Sequence, residues 1–494
     1  MSSSSIIQPR TPLPKLQLSL ILLIQVTEPI NAEVIYPFII GAVRDTGITC
    51  GDEKKTGYYA GVIESMFFLS ECCTVSVFAS SICHVNNPNQ VYYWGRLSDI
   101  YGRRKILLIG PLGLTLAMLG FGLSKTFLAL VIFRALQGIF NGNIGVAKTV
   151  MAEITDSTNM ADAFTMIPIM WSFGTTVGPA LGGILANPAT QWPQLFGKFV
   201  FFRDFPYFLA CAAAGFMAFI AFALAYIGLK ESSPTFKSQE MENVTSSDES
   251  EPLLQDDETQ SNYGSSTSST GQIIGEHAQP LSAWELLTGD LRIVLLNYSL
   301  LSFTDMSYTV LIPLVYSSSI SIGGLGLSPY QVGLILGIFA FLNGFWNLFV
   351  LTRILKKLGP RKMYIISYSS YLVIFPFLWI IRDVAHLAGG VNVLVWILLV
   401  CQLLAATFIN TAFNSMSLLV VQSAPPNALG SVIGLAQMTA SGTRGLAPLF
   451  ASSLFALSLE SRIAGGHLVD IVLIVISALG LFCSFQIPKH GSQV

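Results

Sequence analysis

Charge is what this sequence has least of. Only 11% of its 494 residues are Asp, Glu, Lys or Arg, against roughly a quarter in soluble domains. The formal net charge is −2, which leaves no basic surplus to hold a nucleic-acid backbone, so no nucleic-acid partner is expected. Histidine is scarce, with five in the chain, and the seven cysteines are scattered through mostly apolar runs. They read as small core residues, not as a disulfide framework or a metal site. There is no nucleotide-binding glycine loop, metal-ligand cluster or nucleophile–base pair. An enzyme is therefore not expected, nor a cofactor. What the chain has in quantity is apolar residues, 52% of the total, gathered into long runs.

A bilayer core of about 30 Å needs roughly 20 apolar residues per helix. Six such spans fit at about 16–42, 58–94, 106–124, 127–152, 161–186 and 207–229, and six more at about 292–318, 329–352, 363–382, 391–421, 429–458 and 467–487. In hydrocarbon every backbone polar group needs a partner, so these runs are expected to be helices. The expected fold is an all-α membrane protein of twelve transmembrane helices in two six-helix bundles, 16–230 and 291–487. Cytoplasmic tails are expected at 1–15 and 488–494. The segment 231–290 between the bundles is rich in Ser, Thr, Glu and Asp. It cannot bury enough apolar surface to order itself and is expected to be a disordered cytoplasmic linker. With both termini cytoplasmic, fourteen Lys and Arg fall on the cytoplasmic side and eight opposite, in line with the positive-inside rule. Met1 to Lys15 is polar and the run from Leu16 lacks a small-residue cleavage site, so no cleaved signal peptide is expected.

The basic residues have a pattern of their own. Between the second and third apolar runs lies Gly95-Arg-Leu-Ser-Asp-Ile-Tyr-Gly-Arg-Arg-Lys105, with Gly95, Asp99, Gly102, Arg103 and Arg104 at fixed spacing. Arg103 is expected to pair with Glu153 or Asp156 below the fourth span. The matching loop of the second half reads Arg353-Ile-Leu-Lys-Lys-Leu-Gly-Pro-Arg-Lys362. Aligning Gly359 with Gly102, an offset of 257 residues, superposes Arg361 on Arg104 and puts Lys356 where Asp99 stands. Span 4 carries Arg134-Ala-Leu-Gln-Gly138, and span 5 carries Gly174-Thr-Thr-Val-Gly-Pro-Ala-Leu-Gly-Gly183. In the latter, Gly174, Gly178, Gly182 and Gly183 permit close backbone approach and Pro179 permits a bend. Late in the chain stand Ser423-Ala-Pro-Pro-Asn-Ala-Leu-Gly-Ser431 and Gly442-Thr-Arg-Gly-Leu-Ala-Pro448.

The loop at 95–105 resembles the signature loop of the major facilitator superfamily, and the glycines of span 5 resemble the signature of its proton-coupled antiporters. Together with Glu28-Pro29 and the late motifs, the chain is similar to fungal members of the twelve-span antiporter group related to plant zinc-induced-facilitator-like carriers. The resemblance covers both bundles but not the linker. It implies a secondary transporter working by alternating access, which exchanges a small organic solute, drug or metal chelate for protons. It does not supply the solute. The expected partners are the lipid bilayer, a small-molecule substrate and protons. The expected form is a monomer, in the plasma membrane or the vacuolar membrane. The alternative reading is a non-transporting sensor or receptor on the same fold.

Charges inside apolar spans are costly and mark function or partnership. The candidates for proton coupling are Glu28, Glu33, Glu64 and Asp305, because a carboxylate in an apolar cavity can load and release a proton near neutral pH. Glu28 leads them, since Pro29 loosens the helix beside it. Glu28 and Glu33, five residues apart, point about 140° apart on a helix and cannot face one spot. Arg134 and Arg444 are expected to line or flank the cavity. Glu64 or Asp305 can instead be a structural partner of either arginine. No metal site is expected.

One stretch departs from the family pattern. Val75-Ser-Val-Phe-Ala-Ser-Ser-Ile-Cys-His-Val-Asn-Asn-Pro-Asn-Gln90 interrupts span 2, and its second half is polar. Without these sixteen residues the span is 21 residues long; with them it is 37. The block begins Val-Ser and ends in Gln, as in-frame translation across a donor and an acceptor splice site would. It reads either as a retained intron or as a genuine insertion at the cytoplasmic end of span 2.

Overall fold

The computed structural model describes residues 11–75, 97–98, 100–156, 158–164, 166–232, 289–424 and 429–488. Gly95, Asp99, the block 76–90 and most of the linker lie outside the described residues. The described chain is all-α and forms twelve spans. Span 1 comes in two pieces, Lys15–Glu33 and Ile39–Asp45; span 2 is Thr56–Val75 and span 3 is Arg103–Gly122. Span 4 joins Phe127–Asn141 to Ile144–Glu153, span 5 is Met166–Leu185 and span 6 is Phe208–Gly228. In the second half, span 7 is Gly289–Ser317, and span 8 runs from Pro329–Phe345 through the π-helical Trp346–Leu351 to Thr352–Leu358. Span 9 joins Pro360–Ser369 to Tyr371–Ala388, span 10 is Val393–Gln422, span 11 is Leu429–Ser461 and span 12 is Leu468–Phe485.

Two differences from the sequence expectation have local causes. The run 16–42 is not one helix: it breaks into turns over 34–38, where Pro37 has no N–H to continue the ladder. Glu231 and Ser232, expected to open the linker, pack against the start of span 3 instead. The carboxylate of Glu231 accepts the backbone N–H groups of Arg103 at 2.9 Å and Arg104 at 3.1 Å, where a helix N-terminus favours negative charge.

Among the described residues, six helices are long and apolar enough to cross a membrane: spans 3, 4, 6, 9, 10 and 12. Of the others, spans 1, 2, 7 and 11 carry ionisable groups mid-length, and spans 5 and 8 are shorter apolar stretches. These six less apolar spans are the ones that bring the halves together. Span 2 lies along span 11, where Leu449 donates its N–H to Ser65 Oγ at 2.9 Å. Span 5 lies along span 8, and there a Cβ on Gly183 would come within 2.7 Å of the Gly333 Cα. Polar groups are tolerated where a span faces inward, and this holds for single residues of the apolar spans too, as for the buried Arg134 of span 4.

The repeat between halves is visible in the backbone. Gly102 and Gly359 both have positive φ, +95° and +75°, and both stand just before a helix. Arg104 Nη2 donates to the carbonyl of Tyr226, near the end of span 6, at 2.6 Å. Arg361 donates to the carbonyls of Ile487 at 2.7 Å and Phe485 at 2.8 Å, at the end of span 12. The matched arginine of each turn thus serves the orphan carbonyls that close its own bundle. Arg103 takes Glu153, at 3.1 Å. Asp156, the other expected partner, is held by Thr11 and Thr158, and these hydroxyls keep its carboxyl below the usual range.

Candidate functional site

The charges buried between the halves fall into two layers. Span 4 presents Arg134, Asn141 and Lys148 at intervals of seven residues, and span 2 presents Glu64 and Glu71 at the same interval. Seven residues are nearly two turns, so each set shares one helix face. Span 1 supplies Glu33 to one layer and Glu28 to the other. Their divergence follows from the five-residue spacing.

In the first layer the Arg134 guanidinium is fully buried. It meets Glu64 Oε2 at 3.0 Å and Gln137 Oε1 at 2.8 Å, and it donates to the carbonyls of Asn31 at 3.3 Å and Ala32 at 3.0 Å. Those carbonyls are free because the first piece of span 1 ends at Glu33, and a cation is favoured at a helix C-terminus. The ring of Phe67 lies 4.5 Å from the guanidinium. The Arg134–Glu64 pair, with both side chains at 1% exposure or less, is a closed structural unit. Glu33 is only partly buried and lies within the field of Glu64, Arg134 and Asp305.

In the second layer Glu28 Oε1 accepts a hydrogen bond from Asn141 Nδ2 at 3.1 Å. The charges bearing on it come from Glu71, Lys148 and, from the other half, Arg444. Glu28 is partly exposed and has no ion pair among the described residues. Beside it is a small cavity lined by Gln25, Thr27, Asn141 and Asn143, with about 10 Å³ of room for a water centre, enough for roughly one water molecule. Arg444 is half-buried, with its guanidinium 5.4 Å from the Phe413 ring. Asp305 accepts from Tyr371 Oη at 3.2 Å and feels Arg444. Asp305 and Arg444 are the second half's contribution.

Three glycines of span 5 pack against span 1, and Gly178 does so beside Glu33, whose Cβ would lie 2.9 Å from a Cβ added there. A Cβ at Gly174 would run into the Pro29 ring, one at Gly182 into the Val34 carbonyl, and one at Gly178 would sit 3.0 Å from the Ile30 carbonyl. Pro179 is buried in the same helix.

Glu71 and Lys148 were not among the residues singled out from the sequence. The seven-residue repeats Glu64–Glu71 and Arg134–Asn141–Lys148 are the signal that finds them. A second polar group was also missed, at the end of the second half opposite the basic loop. Arg382, the last residue of the expected span 363–382, is buried in span 9 and bonded to Asp470 of span 12 at 2.8 Å.

Over residues 91–448 the chain matches the family described as Major Facilitator Superfamily. It is similar to the major facilitator-type transporter psiT2 of Psilocybe cyanescens, 29% identical with 97% of this chain and 91% of that protein covered. It is also similar to ZINC INDUCED FACILITATOR 1 of Arabidopsis thaliana, 28% identical over 96% of this chain and 91% of the relative. Among solved structures, a D-xylose-proton symporter aligns with a TM-score of 0.66 at 14% identity, covering 97% of this chain and 98% of that one; that likeness speaks to the fold. The twelve described spans, the charged interior and the superfamily match agree: the chain belongs to the Major Facilitator Superfamily and is an integral membrane transporter, not an enzyme.

Proposed function

We propose that the protein is a proton-coupled antiporter of a small organic solute, drug or metal chelate, and that Glu28 carries the proton. The observation that supports this reading is the contrast between two carboxylates. Glu64 is sealed against a permanent guanidinium, whereas Glu28 has one neutral donor, Asn141, and two cations from different halves in its field. A carboxylate of the second kind can change protonation without breaking the bundle. It can also exchange the influence of Lys148 for that of Arg444 as the halves rock. Glu33 and Asp305 are the secondary candidates, and Glu64 serves Arg134. Similarity to proteins named as a multidrug transporter in Aspergillus fumigatus and an efflux pump in Aspergillus niger fits export of such a solute across the plasma or vacuolar membrane.

The test is Glu28→Gln in proteoliposomes under an imposed pH gradient, with ethidium as a drug probe and zinc citrate as a chelate probe. Gradient-driven movement should fall at least tenfold while probe binding survives. Gradient-driven transport equal to wild type would remove Glu28 from the coupling role.

A further inference from the structure

We propose that His467 is a second proton-binding site, outside the central cavity, whose proton fastens the mouth of the second half. His467 opens span 12 and is 6% exposed. Its Nε2 lies 2.9 Å from Asp383 Oδ1 and its Nδ1 lies 3.2 Å from Asp470 Oδ2. Both ring nitrogens therefore face carboxylate oxygens. A neutral imidazole has one N–H and one lone pair, so it satisfies only one of these contacts and turns its lone pair on the other carboxylate. Only the imidazolium makes both bonds. The geometry is built around the proton.

The surroundings match a latch. Asp383 belongs to span 9 and Asp470 to span 12, so the protonated ring ties the two spans together. Trp379 stacks on the ring, with centroids 4.6 Å apart and planes at 17°, and its Nε1 donates to Asp383 Oδ2 at 2.9 Å. Arg382 adds bonds from Nη1 to Asp470 Oδ2 at 2.8 Å, from Nε to the Gly323 carbonyl at 2.8 Å and from Nη2 to the Gly466 carbonyl at 3.0 Å. With His467 charged, the two cations and two carboxylates of this cluster balance.

The turn they clamp is strained at two residues, Arg462 and Ala464, which have positive φ without being glycine, and such backbone persists only where its surroundings hold it. A cavity of about 330 Å³ opens beside the cluster, reached by Asp383, which is 52% exposed. That cavity gives the proton a route from water. Lys54 of the first half also lines it, so the latch sits where the halves meet. The other ionisable groups on its wall are His386 and Arg462.

With its proton the ring holds both carboxylates and the mouth is fastened; without it one of these two bonds is lost and the turn is held by the Arg382 bonds alone, which loosens the mouth. Two measurements on the full-length protein in nanodiscs test this. The first is the Trp379 contribution to fluorescence, taken as wild type minus Trp379→Phe, because a stacked imidazolium quenches indole more than a neutral ring does. From about pH 5.5 to about pH 8.5 it should rise, stay flat in His467→Gln, and still rise in His386→Gln. The second uses a spin label at Ser321→Cys on the cavity wall, with the native cysteines replaced by serine. Its access to a water-soluble relaxant should increase severalfold over the same range, and lose that dependence in His467→Gln and in Asp383→Asn. The exposed Asp383 partner provides a variant that folds if His467→Gln does not. A pH response that survives His467→Gln, one abolished by His386→Gln, a flat wild type, or a Trp379 titration with no change at Ser321 would each overturn the proposal.

Discussion

In the first half of the molecule the turn before span 3 is held by carboxylates, and in the second half the matching turn before span 9 is held without one among the described residues. Glu231 accepts the N–H groups of Arg103 and Arg104, and Glu153 takes the Arg103 side chain and the Ser232 hydroxyl, the last at 2.5 Å. At the position matching Arg103, the second half has Pro360. Proline at the first helical position has no N–H to satisfy and a preset φ, so no acid is needed there. The glycine and the carbonyl-capping arginine recur in both turns while the acids do not. The interior divides in the same way: Glu28, Glu33, Glu64 and Glu71 come from the first half, against Asp305 from the second. Repetition has kept what shapes the backbone, and most acids of the two central layers stand on one side.

The comparison also exposes a mismatch in length, and the largest predicted effect comes from it. Gly102 follows the start of span 2, Thr56, by 46 residues; Gly359 follows the start of span 8, Pro329, by 30. The difference of sixteen is the length of the block 75–90. The superfamily match, moreover, begins at residue 91. A chain lacking 75–90 should express or transport severalfold better than the chain as written, and transcripts should join Thr74 to Val91. Equal or better function of the full-length form would make the block a genuine part of the protein.

Next in size are the two buried ion pairs, one in each half. Arg134→Met leaves Glu64 charged and unpartnered among apolar neighbours, at a cost of about 3–5 kcal/mol. Arg382→Met removes one of two partners of Asp470, which keeps His467 Nδ1 at 3.2 Å, and should cost less. The double variant Arg134→Met with Glu64→Leu should recover most of the loss in thermal unfolding, since a buried pair replaced whole is often neutral. A double variant as unstable as Arg134→Met would mean that the bonds from Arg134 to the Asn31 and Ala32 carbonyls matter more than the pair. Such a result would make Arg134 chiefly the clamp of broken span 1.

Hydropathy made twelve spans legible, because a backbone in hydrocarbon must satisfy itself and so forms helices. It did not show the break at 34–38, which follows from Pro37 removing a donor, a local effect that a 20-residue window averages away. Glu28, Glu33 and Arg134 were legible as charges in apolar runs. Glu71 and Lys148 were not, because their signal is the seven-residue repeat that puts them on their neighbours' faces and not the charge of either residue alone. Arg382 and His467 were assigned to the ends of spans, where composition turns polar. Helices there continue past the hydrocarbon, and polar residues near an end can be buried against one another as fully as those at mid-span.

A smaller effect tests the acid at the turn of the first half. Glu231→Ala removes two charge-assisted bonds to backbone donors, each worth about 1.5–3 kcal/mol where charge is involved, less the share that water restores at this partly exposed site. The unfolding midpoint should fall by several degrees. Pro360→Ala, which creates the N–H that the first half must satisfy, should move it by about a degree or less. Equal shifts would break the inference that proline stands in for the acid.

The smallest effect concerns the pair of arginines the repeat has kept. Arg361 makes two bonds to the carbonyls that end span 12, whereas Arg104 makes one to the end of span 6, with its guanidinium 5.9 Å from the Tyr226 ring. Each net bond from a cation to a terminal carbonyl is worth about 1 kcal/mol at the surface. Arg361→Ala should therefore lower the unfolding midpoint by a few degrees and Arg104→Ala by about half as much. Lysine at 361 should restore only part of the loss, because one ammonium cannot reproduce the fork that spans two carbonyls, whereas lysine at 104 has a single carbonyl to bind and should restore more. If Arg104→Ala costs more than Arg361→Ala, the turn of the first half is doing something beyond closing its bundle. Its bond to Tyr226 would then be a point where that half's conformational change is held, and the symmetry of the two turns would be one of shape alone.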